Sequence, residues 1–257
     1  MYWERSLVAL ATIARKETTR YLRIWMQTLL PPAITMALYF VIFGNLIGPR
    51  IGPMDGYSYI DFIVPGIIMM AVITNSYSNV VSSFFGAKFQ RHVEELMVSP
   101  TPNAIILLGY VSGGVGRGLL TGFIVTIVSL MFTSLQIHSL FITCSVVLLT
   151  SILFSLGGFI NGVFARKFDD VAIVPTFILT PLTYLGGVFY SISLLPDFWQ
   201  VASLANPVLY MVNAFRYGIL GAADINIWVA YALILLFIAI LGSFSLHLLN
   251  RGVGLRS

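Results

Sequence analysis

Residues 86–103 read GAKFQRHVEELMVSPTPN, the longest polar interruption in an otherwise apolar chain. Around it Phe85, Phe89, Val93, Leu96 and Met97 recur at spacings of four, four, three and one, which sets them along one helical stripe. Lys88, Arg91, Glu94 and Glu95 fall on the remaining surface. The pattern predicts a short amphipathic helix. Ser99-Pro-Thr-Pro102 ends it, because proline lacks a backbone donor and biases the residue before it away from helical geometry. A short charged helix between membrane spans suits docking to a soluble partner. It also suits lying on the lipid surface, and the local pattern leaves both readings open.

Working outward, 58% apolar and 9% charged residues in 257 describe a polytopic, all-α membrane protein. A hydrocarbon core of ~30 Å needs about 20 apolar helical residues per crossing. Apolar runs over 26–47, 59–85, 104–133, 139–163, 171–189 and 227–249 predict six transmembrane helices in a single domain over 1–257, with no soluble domain left over. Ahead of them, over 1–25, Trp3, Leu7, Leu10, Ala14, Tyr21 and Trp25 recur at helical spacing against Arg5, Arg15, Lys16, Arg20 and Arg23. That is a basic amphipathic helix of the interfacial kind, with cations set against anionic headgroups. The first apolar run follows this charged helix and is long enough to span, so no cleavable signal peptide is expected. Between the last two runs, 190–226 is cut by Asn206-Pro207 into pieces too short to cross, read as two re-entrant helices on the outer face.

Placing the N-terminus in the cytoplasm puts Arg5, Arg15, Lys16, Arg20, Arg23, Lys88, Arg91, Arg166, Lys167, Arg251 and Arg256 inside. Only Arg50 and Arg216 fall outside, with Arg117 inside a span. Eleven cations against two predict that both termini and the 86–103 segment are cytoplasmic. The cations report membrane topology, and no nucleic-acid partner is expected.

No catalytic constellation is present in the sequence. Lys16, Lys88 and Lys167 follow Arg, Ala and Arg, so no phosphate loop ending in Gly-Lys-[Ser/Thr] exists. His92, His138 and His247 lie in separate segments, and Cys144 is the single cysteine, so no metal or nucleophile set is available. In the second span Asn75, Asn79 and Ser82 or Ser83 share a face, which fits either a wall of a substrate path or interhelical hydrogen bonding. The third span holds Gly109, Gly113, Gly114, Gly116, Gly118 and Gly122, a pattern for close helix packing. Arg117 sits among them at a cost of roughly 2.5 to 3.5 kcal/mol on insertion scales, so a carboxylate or a run of carbonyls should receive it. Pro175 and Pro181 interrupt the fifth span beside Thr176, Thr180, Thr183 and Tyr184, and broken helices in transporters tend to line a pathway.

Several stretches together resemble the membrane subunit of a type-2 ATP-binding-cassette exporter, the class that includes bacterial drug and polysaccharide export permeases. They run in the family order: ARKETTRYLR at 14–23, YIDFIVPGIIMM at 59–70, FFGAKFQRHVEELMVSPTP at 84–102, and PLTYLGGVFYSISLLPDFWQVASLANPVLYMVNAFRYGILG at 181–221. A last span with a basic tail follows. The last of these stretches, with Gly187-Val-Phe-Tyr190 and Asn206-Pro207, is the most specific.

The resemblance implies a six-span permease of the bacterial inner membrane. It would pair with a second copy of itself and with two separate cytoplasmic ATPase subunits that bind ATP and magnesium. By it, Lys88, Phe89, Arg91, His92, Glu94, Glu95 and Leu96 look like the coupling helix, and the first helix, with Arg15, Lys16 and Glu17, looks like a connecting helix that also touches the ATPase. Asn75, Asn79, Ser82, Thr176, Thr180 and Tyr184 are the candidate substrate pathway. The chain departs from fused family members in having neither an ATPase domain nor a large outer loop. A rival reading is an ion-coupled secondary transporter, which needs a buried titratable group, whereas the predicted spans hold no central carboxylate and only Arg117 as a central charge.

Overall fold

The computed structural model describes residues 2–254, with side chains over 4–254, so the readings on Trp3 and Arg256 lie outside the described residues. Among the described residues the chain forms helices and no β-strand. Helix α1, Tyr2–Arg23, breaks at Ile24 and leads into the first long apolar stretch, Trp25–Ile51. That stretch joins α2 (Trp25–Thr28), α3 (Leu30–Tyr39), a π-helical segment Phe40–Ile47 and α4 (Gly48–Ile51). Then come α5 (Tyr59–Phe89), α6 (His92–Val98), α7 (Asn103–Ser129) and α8 (Leu140–Phe164). After α9 (Phe168–Val174), a π turn Pro175–Leu179 and α10 (Thr180–Tyr184), the chain closes with α11 (Asp197–Leu204), α12 (Pro207–Leu220) and α13 (Ile227–Arg251).

Five helices among the described residues are long and apolar enough to cross a membrane: Trp25–Ile51, α5, α7, α8 and α13. The fifth predicted span, 171–189, takes the form of a helical run over 168–184 in joined pieces of 7, 5 and 5 residues. Pro175 and Pro181 remove two backbone donors, and the ladder between them widens to a π turn. The helix ends at Tyr184, short of the predicted limit, and Gly187 at φ 70° turns the chain back.

Helix α5 is the axis of the bundle. Ser58 caps its start, the Ser58 hydroxyl accepting from the Asp61 amide, and Phe62, Ile63, Ile67, Val72, Val80 and Phe84 bury it against α7, α8 and α12. Apart from a narrow strip at Thr74 and Ser82 this central helix is covered on all sides, so its neighbours must come close, and glycine lets them. A Cβ on Gly66 would lie 2.7 Å from the Val188 carbonyl oxygen, so the outer turn seats directly on α5. The glycines of α7 serve three partner helices at once. Gly109, Gly113 and Gly116 receive Ile13, Glu17 and Tyr21 of α1, while Gly114, Gly118 and Gly122 receive Ser155, Ser76, Ser151 and Val72 of α8 and α5.

This close packing gives a stability test. A Cβ on Gly158 of α8 would stand 2.4 Å from the Tyr77 carbonyl oxygen and 3.2 Å from its carbon, and backbone cannot swing aside. Gly158→Ala is expected to force α5 and α8 apart and to cost about 1–3 kcal/mol, as overpacking does. At the adjacent Gly157 the nearest atoms are ring carbons of Tyr77 at 3.6 Å, so Gly157→Ala should be nearly neutral. Thermal unfolding in detergent separates the two variants, and equal midpoints would contradict this packing.

Candidate functional site

The 86–103 segment ends the bundle in two helices rather than one. α5 runs on through Lys88 and Phe89, and a turn closed by the Arg91 amide donating to the Lys88 carbonyl at 2.9 Å separates it from α6. Arg91 takes the left-handed conformation at φ 62°, which no residue with a Cβ adopts without cost. The stripe predicted as one helix from Phe85 to Met97 is thus corrected to a helix end and a new helix. Periodicity could not show this, because the residues keep their apolar character across the break.

Each residue of the stretch has a definite place. Val93 is 2% exposed and packs with Ala87 and Leu107, with Leu96 and Met97 lying against the same cluster. This anchors α6 flat on the bundle. His92, Glu94, Glu95 and Val98 then face outward, Val98 being 88% exposed. Phe89 is 62% exposed and meets the edge of Phe168 at 5.0 Å. Lys88 turns the other way: its Nζ donates to the carbonyls of Val163 at 2.5 Å and Ala165 at 2.9 Å. These are the free carbonyls at the end of α8, where a cation also meets the negative end of the helix dipole. Phe89, Arg91, Glu94, Arg166 and Gly254 line a cleft of about 700 Å³ between α5, α6, the 165–167 loop and the end of the described chain.

On α1 the structure divides the three residues linked to the ATPase. Arg15 and Lys16 are exposed, whereas Glu17 is 0% exposed and turned into the bundle. Its carboxylate accepts from Ser83 Oγ at 2.7 Å and from Arg20 at 3.3 Å, and Lys16 Nζ stands 3.7 Å away. Arg20 in turn donates to the backbone and side-chain oxygens of Asn79 at 3.0 and 2.8 Å. α1 is therefore bolted to α5 through a polar centre, and it meets α7 through the glycine packing. Its predicted apolar face is only partly the packed one, since Ser6, Ile13, Glu17 and Tyr21 are buried and Leu7 and Val8 are exposed.

The structure places the pathway candidates in two different settings. Asn75 and Asn79 are buried inside one copy of the chain, where Asn75 Oδ1 accepts from Arg117 at 3.0 Å and Asn79 Oδ1 from Arg20. Arg117 also donates to the Thr28 carbonyl at 3.3 Å, so its charge is met by an amide oxygen and a carbonyl. Ser82 is exposed and donates to the Ser78 carbonyl. Thr176, Thr180 and Tyr184 lie on the exposed side of the broken run 168–184. The Tyr184 and Tyr39 hydroxyls are 2.5 Å apart, and their rings join Phe43 and Phe189 in one aromatic cluster between the first span and α10.

At the opposite end of the bundle, Arg216 is 1% exposed. Its Nη2 donates to the Gly187 carbonyl at 2.6 Å, its guanidinium lies 3.8 Å from the Phe62 ring centre, and Asp224 stands 4.0 Å from Nη1. Ser191 donates to Asp224, so one buried arginine ties α12 to the 187–191 turn and the 222–226 loop. Sequence reasoning placed Arg216 outside and did not find Asp224, and no spacing signals the pair.

Comparison with known proteins agrees with this arrangement. The family described as ABC-2 type transporter matches residues 8–220. The inner membrane transport permease YadH of Escherichia coli (strain K12) is 57% identical over 257 residues, covering 100% of this chain and 99% of the relative. Nodulation protein J of Rhizobium leguminosarum bv. viciae is 23% identical over 215 residues, covering 83% of each. With most of its length matched by the family and a full-length relative at this identity, the chain belongs to the ABC-2 type transporters.

Proposed function

We propose that the chain is the permease subunit of an ATP-driven exporter in a bacterial inner membrane, performing no chemistry itself. The observation that supports this best is α6: a short helix pinned by Val93, with Glu94, Glu95 and His92 turned outward between exposed Phe89 and Val98. An acidic face rimmed by apolar side chains is a surface made for another protein. Two separate ATPase subunits would dock there and hold the ATP and magnesium, and their closure on ATP would move α6 and open the bundle outward. The run 168–184 supplies the sixth crossing, and α11 and α12 are the re-entrant outer helices. This leaves both termini cytoplasmic. A second copy would complete the path, covering the exposed Thr176, Thr180 and Tyr184.

The full-length likeness to a protein named an inner membrane transport permease supports the same reading. The test is recovery of the tagged chain in mild detergent, followed by assay of ATP hydrolysis on what accompanies it. A soluble ATPase at one per permease, lost when 89–96 is scrambled, is the expected result. A permease recovered alone, dimeric and without hydrolysis, would favour an ion-coupled transporter instead.

A further inference from the structure

The basic helix α1 forms more than a charged surface. Along its outer side lies an open groove of about 650 Å³ lined by Thr12, Arg15, Lys16, Thr19, Arg20, Arg23 and Ile24. Four cations meet in it, and its lining includes no carboxylate. Glu17, the acid between them, is turned into the bundle, where it fixes Arg20 from behind. Among the described residues, Arg15 and Arg23 make no ion pair or hydrogen bond. The groove is therefore electrostatically unfilled, with one wall preorganised by the Glu17 and Asn79 contacts of Arg20.

Depth decides what can fill it. α5 has 31 residues, about 46 Å at 1.5 Å per residue, against a hydrocarbon core of ~30 Å. Arg20 is bonded to Asn79, which lies ten residues before Phe89, about 15 Å in from the α6 end of the bundle. That is close to the whole excess of α5 over the core, so with Tyr59 at the outer edge of the hydrocarbon the groove lies at the boundary between headgroups and acyl chains. The chain gives the same reading, because a run of exposed apolar residues begins two residues past Arg20, at Leu22, Ile24, Trp25 and Met26. A soluble ATPase resting on α6 would sit below this level. Cations above the polar surface with exposed apolar residues beside them match one chemistry, a phosphate carried on an acyl-chain lipid.

We infer that the α1 groove binds the phosphate headgroup of an anionic membrane lipid, with Arg15, Lys16, Arg20 and Arg23 as its ligands and Ile24 to Met26 against its acyl chains. The bound lipid would hold α1 against the bundle from outside, as Glu17 does from within. The site takes the groove away from the ATPase and leaves α6 as the docking surface. It does not depend on whether an ATPase docks there.

The test uses the full chain in nanodiscs of phosphatidylcholine, titrated with phosphatidylglycerol, with lipid retained after detergent extraction counted by native mass spectrometry. Arg15→Gln with Arg23→Gln, two cations without partners, should weaken phosphatidylglycerol retention by about tenfold or more. Arg5→Gln with Arg251→Gln removes the same charge elsewhere and should change it less than about twofold, a margin well inside one lost headgroup contact. Equal loss in both pairs would show only general surface attraction and overturn the site. Inorganic phosphate at millimolar concentration should not displace the lipid; displacement would reassign the groove to a soluble phosphate and overturn the lipid assignment.

Discussion

Reversing Glu94 and Glu95 together to lysine is expected to strip the partner ATPase from the permease while leaving the chain folded and inserted. Both side chains face outward on α6. The residues that hold α6 down, Val93, Leu96 and Met97, are untouched. Two reversals would place like charges opposite any cations with which the proposed partner meets Glu94 and Glu95, a mismatch of several kcal/mol that would lower affinity by about a hundredfold or more. Neutralisation to glutamine removes attraction without adding repulsion, so its loss should be much smaller. Co-purified ATPase and unfolding temperature, measured on the same samples, separate the effects. Full ATPase recovery with the double lysine variant would remove α6 from the docking surface, and a collapsed unfolding temperature would place the two carboxylates in the fold instead.

The second large effect is expected at Glu17. Its carboxylate is buried, receives Ser83 and Arg20, and stands behind the contact between α1 and α7. Removing one partner of a buried ion pair costs about 3–5 kcal/mol because the other charge is left without compensation. Arg20 retains Asn79 and reaches water in part, which puts Glu17→Ala near the lower bound, at about 3 kcal/mol. Glu17→Gln keeps an acceptor for Ser83 and should lose less. The 22–27 junction is already exposed and detachment of α1 would free it to unwind, so limited proteolysis there should accelerate together with the fall in melting temperature. Gly113→Leu ought to reproduce the phenotype, since even a Cβ at Gly113 would stand 2.5 Å from Glu17 Cβ. A Glu17→Ala protein as stable and protease-resistant as the parent would show that α1 is held by its apolar contacts alone.

Length and hydropathy located the long helices because an apolar run of span length has few other uses, and prolines marked where the fifth run breaks. The polar residues inside the spans were less legible. Asn75 and Asn79 share a face of α5 whether that face meets a channel or two arginines. The glycines of α7 announce close approach, yet their spacing does not say that some serve α1 and others α5 and α8. Within a bilayer the surroundings are as apolar as the protein interior, so a hydrophobic stripe no longer tells inside from outside.

The sequence by itself determined an all-helical membrane chain, a polar segment at 86–103 closed by Ser99-Pro-Thr-Pro102, and a break at Asn206-Pro207. These follow from local chemistry: apolar run length, missing proline donors and the phase of charged residues. Only the tertiary structure decided that Arg91 reverses the chain before α6, that Glu17 points inward, that Arg117 is received by Asn75 and Thr28, and that Arg216 is buried beside Asp224. Each depends on how one helix is rotated and how closely it meets another. Such contacts join residues distant in sequence and leave no periodic trace along the chain.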